Sequence, residues 1–158
     1  MQILKSLLYF FTLFCSLIFF SAAASAITIT QIETHFGGKV VQKFGDKLWL
    51  SPERKSSRFF IAMAYGFQVT SLFDGPVIFS GYLQGFNGLS VQVQAPNGDI
   101  LTYSCLSRIS TRKYMNIRKG QPLGFSGGDG DKCGGHPGIS LYLLRNNSRR
   151  NPLELNLP

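Results

Sequence analysis

The chain has 158 residues, 44% of them hydrophobic, and its 16 Lys and Arg against 8 Asp and Glu give a formal net charge of +8. This length suffices for one domain with its own hydrophobic core and excludes a small scaffold that depends on disulfides or a structural metal. The basic excess favours anionic partners such as wall polymers, lipid head groups or an acidic protein face.

The first residues have the composition of an export signal. Lys5 supplies a positive charge, residues 7–20 are apolar, and small residues at 22–26 provide a cleavage site after Ala26. The pattern predicts a signal peptide over residues 1–26 and an exported protein that meets the membrane only transiently. An uncleaved membrane anchor is the alternative, but the apolar run is short for a span. Export also disfavours nucleic acid as a partner.

Short strands separated by turns are predicted directly after the leader. Residues 27–30, 39–44 and 47–50 alternate between apolar and polar side chains, which is typical of strands. Residues 51–58 are polar without an apolar period and predict a loop. This division makes 27–55 a region of N-terminal strands and a polar loop.

The following residues predict further strands joined by hairpins. Asp74-Gly75 and Asn97-Gly98 are typical of tight hairpin turns between such stretches. No segment after the leader has a helical period of ten or more residues. We therefore expect an all-β fold, an antiparallel β-sandwich or barrel in a single domain. The strands are expected at 59–65, 68–73, 77–82, 89–94, 99–103 and 137–144.

The end of the chain resembles the end of a lysostaphin-type (LytM) zinc endopeptidase domain. Lys119 precedes Gly-Gln-Pro-Leu-Gly at 120–124, and a glycine-rich loop, the strand at 137–144 and Asn151-Pro152 follow. The resemblance implies a LytM-type β-sheet core over residues 56–158. Four earlier segments also match that domain in order and spacing, namely 38–45, 66–77, 82–91 and 97–103.

The resemblance also locates the zinc site of that family in this sequence. Such a site takes three protein ligands, leaves a fourth position for water and places a base near that water. The family's His-x-x-x-Asp, Tyr-x-His-Leu and His-x-His motifs put these residues, in order, on Ser56, Phe60, Cys105, Gly138 and Ser140. In an alternative register the last pair is Ser140 and Tyr142. Because every position is replaced, we expect a degenerate domain with no catalytic residue, no metal and no cofactor.

Two cysteines follow the leader, and the resemblance places them near the old site. One interpretation is a disulfide between Cys105 and Cys133 that ties the glycine-rich loop to the sheet. Another is a different metal site made by Cys133-x-x-His136 with Cys105 and Asp131. The third is a pair of free buried thiols.

LytM domains without their zinc residues resemble the EnvC-type and NlpD-type activators of cell-wall amidases. The resemblance implies a periplasmic protein of the bacterial envelope. Its groove would bind a segment of an N-acetylmuramoyl-L-alanine amidase and release the autoinhibition of that enzyme. Aromatic and Arg side chains are the usual anchors of such an interface. The residues expected to line the groove are Gln84, Phe86, Tyr103, Cys105, Ser140, Tyr142 and Arg145.

Two other functions are weighed against the activator. A binding module for peptidoglycan itself would retain the old substrate groove and hold anionic wall polymer with basic side chains. An active zinc metalloendopeptidase that cleaves peptidoglycan cross-bridges would need a metal site that these positions do not supply. The activator needs a protein partner, whereas the binding module should bind purified sacculi alone.

Overall fold

A computed structural model describes residues 25–48, 51–127, 133 and 135–157. Most of the predicted signal peptide and most of the glycine-rich loop lie outside the described residues. No helix in the described part of the chain is long and apolar enough to cross a membrane. The described residues belong to a single domain of mostly antiparallel β-structure with one short α-helix, so the predicted fold class is confirmed.

The elements are numbered in chain order. The first seven are β1 (Ser25–Ala26), α1 (Ile29–Phe36), β2 (Lys39–Gln42), β3 (Lys47–Leu48), β4 (Ser51–Lys55), β5 (Phe59–Ala62) and β6 (Gln68–Thr70). The central strands are β7 (Gly75–Tyr82), β8 (Leu89–Gln94), β9 (Ile100–Ile109), β10 (Asn116–Ile117) and β11 (Pro122–Ser126). The last are β12 (Gly138–Arg145), β13 (Ser148–Arg150), a 3-10 turn (Pro152–Glu154) and β14 (Asn156–Leu157).

Ten strands form one sheet, in which β12 has a central position. The continuous path is β10-β7-β8-β9-β12-β5-β2, while β11 pairs with β6 and β9, and β13 pairs with β12. The pairs β1-β14 and β3-β4 form two small separate sheets. Because β12 lies between β9 and β5, the backbone of β12 is paired with a neighbouring strand on both edges.

The hydrophobic core lies against one face of β12. Ile139, Leu141 and Leu143 are fully buried on that face. Successive side chains of a strand point to opposite faces, so Ser140 and Tyr142 lie on the other face of the sheet. The alternation along β12 therefore divides the molecule into a core side and a polar side.

The Asn97-Gly98 hairpin forms as predicted between β8 and β9. The Ala95 N–H donates to the Asp99 carbonyl at 2.8 Å, and Gly98 has a φ of 86°. Glycine is favoured at such a left-handed position because it has no Cβ. This turn sets the register in which β9 crosses the sheet.

The predicted strand at 27–30 is wrong, because Ile29 begins helix α1. The Thr28 hydroxyl accepts from the Gln31 N–H at 3.2 Å, and the Gln31 side chain accepts from the Thr28 N–H at 2.8 Å. This capping box satisfies backbone donors that the first helical turn leaves free. The helix then buries Ile32 and Phe36 against the core.

The polar segment 51–58 also differs from its prediction as a loop. Residues Ser51–Lys55 form β4, which pairs with β3 in an exposed hairpin. Both faces of this hairpin are largely in solvent, so its sequence has no apolar period to reveal it.

Asp74-Gly75 does not close a hairpin, since β6 pairs with β11 whereas β7 pairs with β8 and β10. The Asp74 carboxylate instead accepts from the Lys119 N–H at 2.6 Å. A Cβ at position 75 would collide with the carbonyl oxygen of Gln94. The glycine is therefore required by close backbone approach, and the local sequence resembles a turn for a different reason.

Candidate functional site

The polar side of the sheet carries most of the positions that the family resemblance assigns to the zinc site. Ser140 lies opposite Phe60 of β5 and opposite Ser104 of β9, so the three side chains share one face. The Ser104 hydroxyl is 2.6 Å from that of Ser90, and Tyr142 follows on the same face of β12. We call this side of the sheet the site face; its inner layer, formed by Phe60, Ser104, Ser140 and Tyr142, is at most 3% exposed.

Ser56 and Phe60 determine the position of Arg58. The Ser56 hydroxyl accepts from the Arg58 N–H at 3.3 Å and donates to the Arg58 carbonyl at 2.9 Å, which fixes the turn before β5. The Arg58 guanidinium lies 5.6 Å from the centroid of the buried Phe60 ring. Arginine is attracted to an aromatic face in this range.

The Arg58 guanidinium is bonded directly to the site face. Its Nη1 donates to the Ser140 hydroxyl at 2.9 Å and to the Tyr142 hydroxyl at 3.4 Å. The Ser140 hydroxyl thus accepts a hydrogen bond from a guanidinium at a position that the family resemblance assigns to a metal ligand. The half-buried arginine is positioned by Ser56 and Phe60 on one side and by the Ser140 and Tyr142 hydroxyls on the other.

Cys105 lies beside Ser140 and is bonded to Cys133. The two cysteines form a disulfide with a Cα–Cα distance of 5.8 Å. Of the three interpretations of these residues, the structure therefore has the disulfide. Cys105 has a φ of 64° within an irregular part of β9, and its N–H donates to the Asn87 carbonyl at 2.8 Å. Irregular strand positions often re-aim a side chain. Here the Cys105 sulfur is directed to within 3.7 Å of the Ser140 hydroxyl.

A second arginine, Arg149, covers the other side of Tyr142. Its guanidinium lies 4.7 Å from the Tyr142 ring centroid and 4.9 Å from that of Phe86. The two rings meet edge to face at 4.8 Å. Arg149 also donates to the Ser57 hydroxyl at 2.7 Å and to the Gly85 carbonyl at 2.8 Å. We call Arg58 and Arg149 the arginine pair, since both contact the Tyr142 side chain.

Two of the expected groove residues lie away from the site face. Tyr103 is adjacent to Ser104 and therefore points to the core, where its hydroxyl accepts from the Leu72 N–H at 3.0 Å. Burial raises the pKa of Tyr103 to about 12. Arg145 lies at the far end of β12 and donates to the Asp99 carboxylate at 2.7 and 2.8 Å. This bond holds the pKa of Asp99 below its usual value.

The remaining expected groove residues lie at or beside the site face. Phe86 and Tyr142 contact each other, whereas Gln84 is exposed on the neighbouring loop. Sequence analysis did not single out the arginine pair. In the sequence, Arg149 is only one of two adjacent basic residues, Arg149 and Arg150. In the structure, Arg149 pairs opposite Leu144 and therefore lies on the same face of the sheet as Tyr142. Arg58 was hidden in the segment predicted as a polar loop.

The residues on the site face do not fit a catalytic zinc. Phe60 and Gly138 have no donor atom in their side chains, and the Cys105 sulfur is committed to a disulfide. The Ser140 hydroxyl accepts from a guanidinium, and a cation beside it disfavours a second one. A Cβ at Gly138 would collide with the Ile61 carbonyl oxygen, so no larger residue fits there without a backbone shift. No group of three or more His, Cys, Asp or Glu in the described ranges is arranged to hold a metal.

Solved structures of two peptidases share this fold. The antimicrobial peptidase lysostaphin from Staphylococcus simulans superposes with a TM-score of 0.68 at 17% identity, covering 84% of this chain and 52% of that chain. A zinc-containing peptidase from Vibrio cholerae superposes with a TM-score of 0.65 at 19% identity, covering 86% and 41%. At such identities the likeness shows the fold alone.

Sequence comparison identifies the family. The murein hydrolase activator EnvC of Escherichia coli (strain K12) is 28% identical over 115 residues, which are 73% of this chain and 26% of that protein. The chain thus spans about a quarter of the length of this curated relative. The profile of Peptidase family M23 matches residues 54–152, which include the site face and the arginine pair. Since this match covers well over half of the sequence, the chain belongs to Peptidase family M23.

Proposed function

We propose that this protein is a non-catalytic member of its family that acts in peptidoglycan remodelling by activating a cell-wall N-acetylmuramoyl-L-alanine amidase. In this proposal the protein resides in the periplasm, where the predicted signal peptide would deliver it. A segment of the amidase binds at the site face and is thereby withdrawn from the position in which it inhibits the enzyme.

One observation carries the proposal. Each position that would supply a zinc ligand has another structural task, most plainly Ser140, which accepts from the Arg58 guanidinium. Phe60 supports that guanidinium from below, and Cys105 is held in a disulfide beside it. These substitutions preserve an ordered surface while removing the chemistry of the peptidases.

The similarity to EnvC supports the same proposal. That protein is named a murein hydrolase activator, and the similar region covers 73% of this chain. Activation of this kind is a population shift, so the site face must bind the open form of the amidase more tightly than the inhibited form. A large effect needs a preference of a few kcal/mol.

The experiment measures bound zinc and wall hydrolysis together. The purified protein is incubated with sacculi, with and without an amidase from the same organism. We expect no hydrolysis by the protein alone and at least about tenfold faster hydrolysis when the amidase is present, a factor equivalent to about 1.4 kcal/mol. Phe86→Ala removes a partly exposed ring of the site face and should abolish the stimulation, whereas Tyr114→Ala, at a ring that is 82% exposed elsewhere, should retain it. Stoichiometric zinc with hydrolysis by the protein alone would contradict the proposal.

A peptidoglycan-binding module is the second candidate function. The observation that favours it is the exposed β3-β4 hairpin, where three exposed basic side chains outnumber the exposed Glu53, namely Lys47, Arg54 and Lys55. Such a cluster attracts anionic polymer. Co-sedimentation with sacculi in the absence of amidase, and no stimulation of amidase when it is added, would favour this candidate over the activator.

A further inference from the structure

The arginine pair has an unusual charge environment. Arg58 and Arg149 contact the same Tyr142 side chain, one at its hydroxyl and the other at its ring. In the described part of the chain, neither guanidinium lies within 4 Å of a carboxylate. Arg145 on the neighbouring part of the sheet is different, because Asp99 and Glu154 neutralise it. Two adjacent cations that have no carboxylate partner among the described residues produce a positive potential that favours an anion.

Both members of the pair retain hydrogen-bond donors. Arg58 uses only Nη1 for its bonds to Ser140 and Tyr142, so its Nε and Nη2 groups have no acceptor among the described residues. Arg149 uses Nη1 and Nη2 once each, and its Nε has no acceptor there either. A guanidinium binds a carboxylate through two parallel N–H groups. The unused donors are therefore suited to a carboxylate ligand.

The pair is also held in place before any ligand arrives. Arg58 is fixed by two hydroxyls and the Phe60 ring, and Arg149 by a hydroxyl, a carbonyl and two rings. Long side chains normally lose conformational entropy when they bind. Much of that loss has already occurred here on folding, which raises the affinity available from each new hydrogen bond.

We propose that the arginine pair is a receptor for the carboxylate of an Asp or Glu side chain presented by an acidic protein segment. This inference rests on the proposed function and names the chemistry of the partner. The partly exposed Phe86 ring, which packs on the buried Tyr142, can contact an apolar residue beside the acidic one, and the basic β3-β4 hairpin attracts a segment of net negative charge.

The first test uses small probes and needs no amidase. The Nε–Hε signals of the ¹⁵N-labelled protein are followed by NMR while N-acetyl-L-glutamate α-methylamide is added, and N-acetyl-L-glutamine α-methylamide, which has no carboxylate, serves as the matched neutral probe. We expect saturable shifts of the Arg58 and Arg149 signals with the acid only. Equal shifts with the amide would overturn the inference.

Three variants connect the response to the pair. R58Q and R149Q should each weaken glutamate binding at least tenfold. R150Q is the matched control, because Arg150 pairs opposite Leu143 on β12 and so lies on the other face from Arg149. Arg149 is exposed, so its variant should fold even if R58Q does not. Unchanged binding in R149Q would overturn the inference.

The second test separates the receptor from the proposed function. In the sacculus assay with amidase, R149Q should lose the stimulation at least tenfold while R150Q retains it. Full stimulation by R149Q and by a folded R58Q would refute the receptor and leave the activator standing. No stimulation by the wild type would refute the activator, and the NMR titration would still decide whether a carboxylate binds. Tighter binding of muropeptides than of N-acetyl-L-glutamate α-methylamide at the same signals would assign the site to the wall and overturn the assignment to a protein segment.

Discussion

At the scale of single residues, one step along β9 separates the core from the site. Ser104 lies opposite Ser140 on the site face, whereas Tyr103 lies opposite Leu141 and is completely buried. The tyrosine is nonetheless polar, and its hydroxyl serves as the acceptor for the backbone N–H of Leu72. Tyr103 thus contributes to stability through the core, where the sequence alone suggested a groove residue.

Tyr103→Phe should therefore lower the stability of the protein. The change removes the acceptor of a buried N–H at Leu72 and creates almost no cavity. Leaving a buried donor unsatisfied costs about 1–3 kcal/mol. Urea unfolding should show this decrease in the free energy of unfolding with an unchanged m-value. The matched control is Tyr114→Phe at an exposed ring, which should change stability by less than about 0.5 kcal/mol. Equal stability of the two variants would show that the Tyr103 hydroxyl has no structural task.

At the scale of elements, helix α1 is attached to β6 through a histidine. The His35 Nε2 atom lies 2.9 Å from the Thr70 hydroxyl and 3.3 Å from the Thr70 carbonyl oxygen. Burial lowers the pKa of His35 below its usual value, and the charge of Lys119 acts in the same direction, while the Thr70 carbonyl opposes them. The folded protein thus favours the neutral imidazole.

This attachment predicts a pH dependence of stability with a definite sign. As the pH falls below about 6.5, His35 gains a proton more readily in the unfolded chain than in the folded one, so folding becomes less favourable. The free energy of unfolding should decrease from that pH down to the lower folded pKa and level off for this group below it. Each pKa unit between the two states corresponds to about 1.4 kcal/mol. Urea unfolding between about pH 5 and 8 measures the slope.

Two variants test the assignment of this slope to His35. His35→Gln removes the titrating group and should flatten the dependence over this range. His136→Gln, at an exposed position, should keep it. A slope that survives in His35→Gln and disappears in His136→Gln would show that His136 causes the pH dependence and would contradict this prediction.

The elements differ in how well the sequence predicts them. The strand β12 and the Asn97-Gly98 hairpin are marked by an apolar run of strand length and by turn chemistry, so both were predicted closely. Helix α1 was not, because Ile-Thr-Ile-Thr at 27–30 has the alternation of a strand, and the cap between Thr28 and Gln31 decides the outcome. The arginine pair was missed because contacts between residues distant in sequence create it, at separations of 82 residues for Arg58 with Ser140 and 92 for Arg149 with Ser57.

At the scale of the whole molecule, the sheet joins strands that are far apart in the chain. The central strand β12 pairs with β9 and β5. Which strands lie beside β12 is known only from the complete fold and not from the sequence around β12. Resemblance to a family could place β12 in sequence, but the charge on the site face depends on which strands flank it. The replacement of the family's ligands stays a prediction of the resemblance, whereas the guanidinium groups that lie beside Ser140 and Tyr142 are visible only in the structure.

The disulfide between Cys105 and Cys133 also acts on the molecule as a whole, because it restricts the unfolded chain. It closes a loop over a sequence separation of 28 residues. In the chain-entropy description, a loop of this length contributes about 3–4 kcal/mol to stability. Reduction should therefore lower the free energy of unfolding by roughly this amount. The m-value should rise, because an unfolded chain without a cross-link exposes more surface.

The double variant Cys105→Ser, Cys133→Ser provides the control for this prediction. It should have the stability of the reduced wild type, and added reductant should leave it unchanged. Peptide mapping should find that neither thiol is alkylated before reduction and that both are alkylated after it. Both predictions depend on a bond formed before unfolding. If wild type and double variant unfold alike under oxidising conditions and both thiols are alkylated from the start, the two cysteines are free. Cys105 is then a free thiol beside the Ser140 hydroxyl.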